Sequence, residues 1–205
     1  MIRDNLLATD ETKFFEKYIE SSKVWYFQEI LHVSPEKHMD LLDEFKRAVS
    51  RSFNVDMYSI RIVGSAKTGL SFSPKKNFRE FIVDEEQAVI NNCEVSDIDI
   101  AIISTELFNG IWKQLKDYSS MYRINRYRYI AHSFFNGFIN EKALRNQTDF
   151  VSDLFSMSEK SSLEIRDEYA VIHPINYRIY NSSEDFKRYH INGIRSLKGG
   201  YLGEV

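Results

Sequence analysis

Two aspartates one residue apart, Asp97 and Asp99, have the residue types and spacing best suited to chemistry in this sequence. The segment 95–103 is hydrophobic and β-branched, which predicts a strand. Successive side chains of a strand point to opposite faces, so both carboxylates lie on one face, about 7 Å apart. Such carboxylates raise each other's proton affinity, and a divalent cation between them relieves the repulsion. The pair therefore indicates a Mg²⁺ or Mn²⁺ site, or else two aspartates on a solvated strand face.

The second candidate element is the pair Gly64-Ser65, which follows the β-branched segment 58–63. Glycine lets the backbone approach a ligand closely, and free amides at the start of a helix bind phosphate. Ser65 adds a hydroxyl that can donate to the same anion, and Gly69 follows four residues later. Alone, Gly-Ser after a strand is typical of an ordinary turn, so the pair becomes informative only together with the aspartates.

The two elements together resemble the signature of the DNA polymerase β-like nucleotidyltransferase superfamily. That signature is a hydrophobic strand, Gly-Ser, often a further glycine, and then a strand that carries Asp-x-Asp. Here it reads Val63-Gly64-Ser65, Gly69 and then Ser96-Asp97-Ile98-Asp99-Ile100, and it covers residues 58–103. The resemblance implies a nucleotidyltransferase fold of the α/β (α+β) class, with a small mixed sheet flanked by helices.

The resemblance also implies a metal-dependent activity. Such an enzyme moves a nucleoside monophosphate from a nucleoside triphosphate to a hydroxyl of a protein, RNA or small-molecule acceptor. Asp97 and Asp99 would be catalytic and would hold two Mg²⁺ (or Mn²⁺) ions. The expected nucleotide-binding residues are Gly64, Ser65, Lys67 and Gly69. Lys67 and the later cations Lys75, Lys76 and Arg79 either neutralise a triphosphate or belong to a solvated insertion.

Two departures from the family pattern affect this interpretation. Thirty-one residues separate Ser65 from Asp97, where minimal members of the superfamily have about ten. Active members also carry a third carboxylate on a later strand, and at that place in the segment 169–180 stands Asn176. Asparagine can ligate a metal through its carbonyl oxygen but cannot act as a general base. Either Asn176 fills the third position or one of the acids Asp167 and Glu168 does.

These departures leave a second function open. The chain is expected to be either an active enzyme or a degenerate domain that binds a nucleotide or a partner without turnover. A two-protein system, such as a toxin–antitoxin or phage-defence pair, would supply that partner or the acceptor. The alternation of arginine and tyrosine at 122–129 indicates base stacking and pairing, or a solvated helix, since these arginines do not share one helical face.

The elements that must position the motif are predicted from periodicity and capping residues. We expect one domain over 1–205, in which 1–55 are N-terminal helices, 56–180 are the core with a polar, irregular insertion at 72–93, and 181–205 are a C-terminal helix and tail. Within the first part, Met39, Leu42, Phe45 and Val49 form a buried stripe. Further expectations are a helix over 121–139, a short helix near 150–157, a strand over 169–180 and a helix that Ser182 and Asp185 open and Gly199-Gly200 end.

Composition limits the class of protein. Over 205 residues, 43% hydrophobic and 28% charged side chains are ordinary globular usage, and they argue against a disordered chain. A net charge of −3 argues against a protein that coats duplex DNA by bulk charge, and it leaves open a local basic groove that contacts nucleic acid. The single cysteine, Cys93, cannot form an intrachain disulfide, and no run approaches a membrane-spanning length, so we expect a cytoplasmic protein without membrane contact.

Overall fold

The structure, a computed structural model, describes residues 2–119, 127–144 and 151–202. The chain begins with helices, as its apolar spacing predicts. These are α1 (Ile2–Ala8), α2 (Glu11–Tyr18), α3 (Trp25–Glu29), a 3₁₀ turn (Pro35–Lys37) and α4 (His38–Phe53). Asp10 caps α2, since its carboxylate accepts hydrogen bonds from the amides of Thr12 and Lys13.

The buried stripe of α4 differs from the expectation at one position. Leu42, Phe45 and Val49 are buried, as predicted, but Met39 is 49% exposed. The helix begins at His38 after the 3₁₀ turn, and this histidine takes the inner position of the first turn. Its Nε2 accepts a hydrogen bond of 3.1 Å from the backbone amide of Val24, which ties the start of α4 to α3.

Four strands form one mixed sheet in the described part of the chain. They are β1 (Ile60–Val63), β2 (Ile98–Ile103), β3 (Phe138–Asn140) and β4 (Ile175–Tyr180), in the spatial order β1-β2-β4-β3. β2 is antiparallel to β1 and parallel to β4, and β3 is antiparallel to β4. This confirms a mixed α/β architecture with a small sheet flanked by helices.

The remaining helices lie between and after the strands. They are α5 (Gly64–Thr68), α6 (Glu85–Ile90), α7 (Thr105–Ser119), α8 (Tyr127–Phe135), α9 (Glu141–Leu144), α10 (Ser152–Tyr169) and α11 (Ser183–Leu202). One face of the sheet, with Ile98, Ile100 and Ile102 at its centre, packs in a core with residues of α4, α7 and α10. The opposite face packs Ala101 and Tyr180 with residues of α2 and α11, and the candidate motif lies on this second face.

Several predicted boundaries in the second half were wrong. The predicted helix 121–139 contains α8 but ends at Phe135, because Gly137 turns the chain with a φ of +75° and Phe138 begins β3. The predicted strand 169–180 begins only at Ile175, after α10 and Pro174. Residues 120–126 and 145–150, including the arginine–tyrosine segment up to 126, lie outside the described residues.

The last helix, α11, begins at the predicted capping residues but extends beyond its predicted end. The amide of Asp185 donates to Ser182 Oγ at 3.1 Å, and that hydroxyl donates to Asp185 Oδ2 at 2.9 Å. The helix does not end at Gly199-Gly200 but continues to Leu202.

The insertion 72–93 is not wholly polar and irregular. Phe78, Phe81 and Ile82 are buried, and the amide of Ile82 donates to Ser96 Oγ at 2.9 Å. Asp84 then caps α6 by accepting from the amide of Gln87. Apolar side chains therefore attach the insertion to the sheet. Across the described ranges, no helix is long and apolar enough to cross a bilayer.

Candidate functional site

Strand register brings the two halves of the motif together on the second face of the sheet. Asp99 on β2 lies opposite Val63, the last residue of β1, and opposite Asn176 on β4. Asp97 immediately precedes β2 and points to the same face as Asp99. The thirty-one residues between Ser65 and Asp97 therefore do not separate Gly64-Ser65 from the aspartates in space.

Gly64, the first residue after β1, lies directly against the side chain of Asp99. Its φ is +70°, a conformation that L side chains rarely adopt. A Cβ added there would lie 2.6 Å from Asp99 Oδ2, closer than such atoms pack. Both observations require glycine, and the close approach leaves the backbone after β1 directly against a carboxylate.

Two donors hold Asp97 in the structure. The side-chain amide of Asn176 donates from Nδ2 to Asp97 Oδ2. The ammonium of Lys142, on α9 just after β3, forms an ion pair with the same oxygen at 2.7 Å. Lys142 was not predicted from the sequence, and no spacing signal marks it, because the three-residue strand β3 that positions it is recognised only through its pairing with β4.

Asp99 has an unusual protonation equilibrium. Burial raises the pKa of its carboxyl to about 6, and the charge of Asp97 adds to the rise. Three cations, Arg178, Lys76 and Lys142, act in the opposite direction. A carboxylate held this way gains from any further positive charge placed beside it, and a divalent cation would be such a charge.

These residues line a cavity of about 600 Å³. Its floor is the sheet face with Asp97, Asp99 and Asn176, and Gly64-Ser65 lies at one side. The other walls are the loop Ser71–Pro74 with Lys76, the α8–β3 turn and the α11 residues Arg188, Tyr189, Asn192, Gly193 and Ser196. The lining carries four cationic side chains, Lys76, Lys142, Arg178 and Arg188, against two carboxylates. A protein of net charge −3 thus has a cleft suited to an anionic ligand.

Of the predicted site residues, the structure brings Gly64, Ser65, Asp97, Asp99 and Asn176 to this cavity. It does not bring Lys67 or Gly69 there. Lys67 is buried on the other side of α5, where its ammonium donates to the carbonyl of Ser21. Burial, with the neighbouring Lys46, lowers its pKa to about 8. Gly69 ends α5 with a φ of +76°, and an added Cβ would lie 2.8 Å from the Trp25 indole.

The third position of the family pattern is occupied by Asn176 and not by an acid. Asp167 and Glu168 are exposed on α10 and are not among the residues that line the cavity. Within the described ranges, no group of three or more His, Cys, Asp or Glu side chains is arranged to hold a metal. At the end of the sheet next to Gly64, the candidate metal ligands are therefore the carboxylates of Asp97 and Asp99 and the amide of Asn176.

This donor set fits one divalent cation better than two. Asp97 and Asp99 supply two charged oxygens, and Asn176 Oδ1 is buried without a hydrogen-bond partner in the described part of the chain. Mg²⁺ is commonly held by one or two carboxylates, with water and substrate phosphates completing the octahedron. An ion bound at Asp97 Oδ2 would take the place of the Lys142 ammonium. The two-cation site that the resemblance implies lacks its third carboxylate here.

The described part of the arginine–tyrosine segment lies apart from the cavity, whereas Lys76 of the insertion lines it. On α8, Tyr127, Arg128 and Tyr129 are exposed and do not line it. Arg178 does line it and was missed, although it follows Asn176 by two residues on the same strand face. The period of two that relates Asp97 to Asp99 would have identified it.

Comparison with known proteins gives no relative to set beside this geometry. No protein-family model matches the chain, and no curated protein or solved structure is significantly similar to it.

Proposed function

We propose that this protein binds a nucleoside triphosphate with a divalent cation in the cleft and transfers its nucleoside monophosphate to an acceptor hydroxyl. The acceptor oxygen forms the new bond to the α-phosphorus, the bond from the α-phosphorus to the bridging oxygen breaks, and pyrophosphate leaves. The main observation in support is the close approach of Gly64 to Asp99, since a Cβ added to Gly64 would lie 2.6 Å from Asp99 Oδ2. This contact places a backbone turn suited to phosphate beside an Asp-x-Asp pair, in a cleft rich in cations.

Each part of the cleft would have one task. Asp97 and Asp99 would hold the cation, and Asn176 Oδ1 would complete the protein ligands. The cation, Mg²⁺ or Mn²⁺, would neutralise phosphate charge and lower the pKa of the acceptor hydroxyl. Ser65 would donate its hydroxyl to a phosphate oxygen, and the exposed ammonium of Lys76 would add positive charge at the rim.

We further propose that the intrinsic rate of transfer is low. The cleft offers two carboxylates where the family pattern has three, and Lys142 competes with the cation for Asp97. Among the described residues of the cavity lining, no further Asp or Glu is left to act as a general base. The acceptor would be a protein, an RNA or a small molecule that a partner or the cytoplasm supplies, and Cys93, which is a free thiol, suits that compartment.

A specific contact favours a second candidate, a binding module without turnover. Asn176 and Lys142 both donate to Asp97, so this carboxylate has its hydrogen bonds and its counter-charge without a metal. Such a domain would bind a nucleotide or a protein partner, for example in a toxin–antitoxin or phage-defence pair.

One set of variants separates the two functions. The protein would be incubated with each of the four nucleoside triphosphates, labelled on the α-phosphate, with Mg²⁺ or Mn²⁺ and a mixed RNA pool, and label on RNA or protein would be followed. We expect slow transfer that Asp97→Ala and Asp99→Ala abolish. Asp167→Ala, which removes an exposed aspartate on α10, is the matched control and should retain it.

The variant Asn176→Asp restores the third carboxylate and should raise the rate. Metal-dependent binding with no transfer by the wild type or by Asn176→Asp would favour the binding module. Brisk transfer that survives Asp99→Ala would overturn the metal mechanism, and absence of both binding and transfer would overturn the proposed function.

A further inference from the structure

Arg178 lines the cavity without an ion pair to a carboxylate in the described part of the chain. It lies on β4 with Ala101 beside it on β2 and Asn140 on β3. The small side chain of Ala101 leaves the guanidinium room above the sheet. The guanidinium is 4.8 Å from the ring centroid of Tyr189 and 5.7 Å from that of Phe138, so two aromatic faces fix its position.

The other cations of the cavity lining have partners or lie in water. Lys142 is paired with Asp97, Arg188 with Asp185, and Lys76 is exposed. Arg178 is half-buried, and its Nε has no hydrogen-bond partner in the ranges that the structure describes. Tyr180, Tyr189 and Asp99 all stabilise its charged form, but Asp99 forms no ion pair with it. A guanidinium that lines a cavity without a carboxylate partner among the described residues is suited to bind an anion from solution.

A second unpartnered polar atom lies in the same part of the cavity. His190 on α11 lines the cavity, and its Nε2 is buried without a partner among the described residues. Burial, together with the charge of Arg178, lowers the pKa of His190 to about 3, so the ring is neutral and can donate from one nitrogen. The amides of Asn136 and Asn192 lie on the same lining. The donors of this wall suit a ligand rich in acceptor oxygens.

We propose that Arg178 is the centre of a phosphate subsite on the inner wall of the cleft. The planar guanidinium offers paired N–H groups that match two oxygens of one phosphate, and its aromatic neighbours hold it in position before binding. The phosphate belongs either to the nucleoside triphosphate or to the acceptor. The first source rests on the proposed function, but binding of phosphate by Arg178 does not require a metal.

The test uses inorganic tripolyphosphate as the probe, in EDTA, with isothermal titration calorimetry on the full chain. We expect binding by the wild type and a loss of affinity of about tenfold or more in Arg178→Met. Arg195→Met is the matched control, since it removes an exposed arginine of α11 that does not line the cavity, and it should leave the affinity unchanged. Arg178→Lys, which keeps the positive charge but loses the paired N–H groups of the guanidinium, should bind tripolyphosphate with intermediate affinity.

A direct readout on the wild type keeps the proposal testable if Arg178→Met does not fold. The Nε–Hε resonance of Arg178, assigned by its absence in Arg178→Lys, should shift on titration with tripolyphosphate. No binding by the wild type, equal binding by folded Arg178→Met, or an Nε–Hε resonance that does not move would each overturn the proposal.

Titration of the nucleotide in Mg²⁺ then identifies the source of the phosphate. If Arg178→Met weakens nucleotide binding as much as tripolyphosphate binding, the subsite takes the triphosphate. If only tripolyphosphate binding in EDTA is weakened, the subsite takes a phosphate of the acceptor. Because the tripolyphosphate arm contains no metal, its failure is distinct from failure of metal-dependent nucleotide binding.

Discussion

Gly64 approaches Asp99 so closely that a Cβ on the glycine would lie 2.6 Å from Asp99 Oδ2. This contact joins the turn after β1 to the carboxylate of the neighbouring strand β2. Any side chain at position 64 must displace the carboxylate, and the positive φ adds backbone strain. The contact therefore links the stability of the turn to the geometry of the cleft.

Gly64→Ala is expected to lower the free energy of unfolding by about 1–3 kcal/mol, because of the strained φ and the displaced carboxylate. Metal-dependent nucleotide binding should be lost as well. Urea denaturation and calorimetry measure the two effects. The control is Gly110→Ala on α7, where an added Cβ meets nothing within 4 Å and where alanine should stabilise the helix by about 0.5–1 kcal/mol. A Gly64→Ala protein as stable as wild type would contradict the close approach.

Replacement of Lys142 by methionine should strengthen metal binding. The ammonium and a divalent cation compete for Asp97 Oδ2, and a half-exposed ion pair is worth up to about 1 kcal/mol, so the affinity for Mn²⁺ alone should rise about fivefold. Titration of Mn²⁺ followed by electron paramagnetic resonance measures this. Lys160→Met, on the exposed side of α10, should bind Mn²⁺ as the wild type does. Equal Mn²⁺ affinities in the two variants would show that Lys142 does not compete with the cation for Asp97.

The stability of the Asn176→Asp variant should depend on a divalent cation more strongly than that of the wild type. The new carboxylate replaces a donor to Asp97 by a repelling charge in a buried position. In EDTA we expect the free energy of unfolding to fall by about 2 kcal/mol or more. Mg²⁺ should restore more stability to this variant than to the wild type, as thermal unfolding with and without Mg²⁺ would show. Asn92→Asp, the same change at an exposed position, should respond to neither condition. A variant destabilised equally with and without Mg²⁺ would argue against a cation between these side chains.

The pKa of Asp99, about 6 against an ordinary 3.8, predicts a pH dependence of stability in EDTA. The folded protein binds this proton more tightly than the unfolded chain does. Its contribution to the free energy of unfolding therefore decreases as the pH rises from about 4 to about 6, and it stays low above that window.

Asp99→Asn should remove this dependence and should be more stable than the wild type at pH 7. Urea denaturation from pH 4 to pH 7 measures the difference between the two proteins, and Asp167→Asn on α10 serves as the control. If the wild type and Asp99→Asn showed parallel pH profiles, the raised pKa would be wrong.

The arrangement of Asp97 and Asp99 could be predicted because it depends on local rules. Alternation along a strand puts both carboxylates on one face, and the hydrophobic run around them identifies the strand. For the third position, the resemblance to the family pattern indicated Asn176 or one of the acids Asp167 and Glu168, and the sequence did not decide between them. The residues that depend on contacts between distant segments could not be found in this way. Lys142 reaches Asp97 only because the short strand β3 pairs with β4.

The error at Lys67 has a similar cause. Its place in the sequence, two residues after Ser65, indicated a phosphate contact. The chain turns into α5 at Gly64, and the helical period then directs Lys67 away from the cavity toward the carbonyl of Ser21. Gly69 likewise serves the packing of Trp25. The motif gives the residue types in their order along the chain, but the orientation of α5 determines which side chains point into the cavity.

Calorimetric titration with each nucleoside triphosphate, in Mg²⁺ and in EDTA, measures whether the cleft holds a cation for the nucleotide. We expect Mg²⁺ to raise the affinity of the wild type for at least one nucleotide by about tenfold or more. Asp99→Asn, with its fold checked by circular dichroism, should show no such gain. The same affinity with and without Mg²⁺, or the same gain in Asp99→Asn, would contradict the proposal that Asp97 and Asp99 hold a cation for the nucleotide.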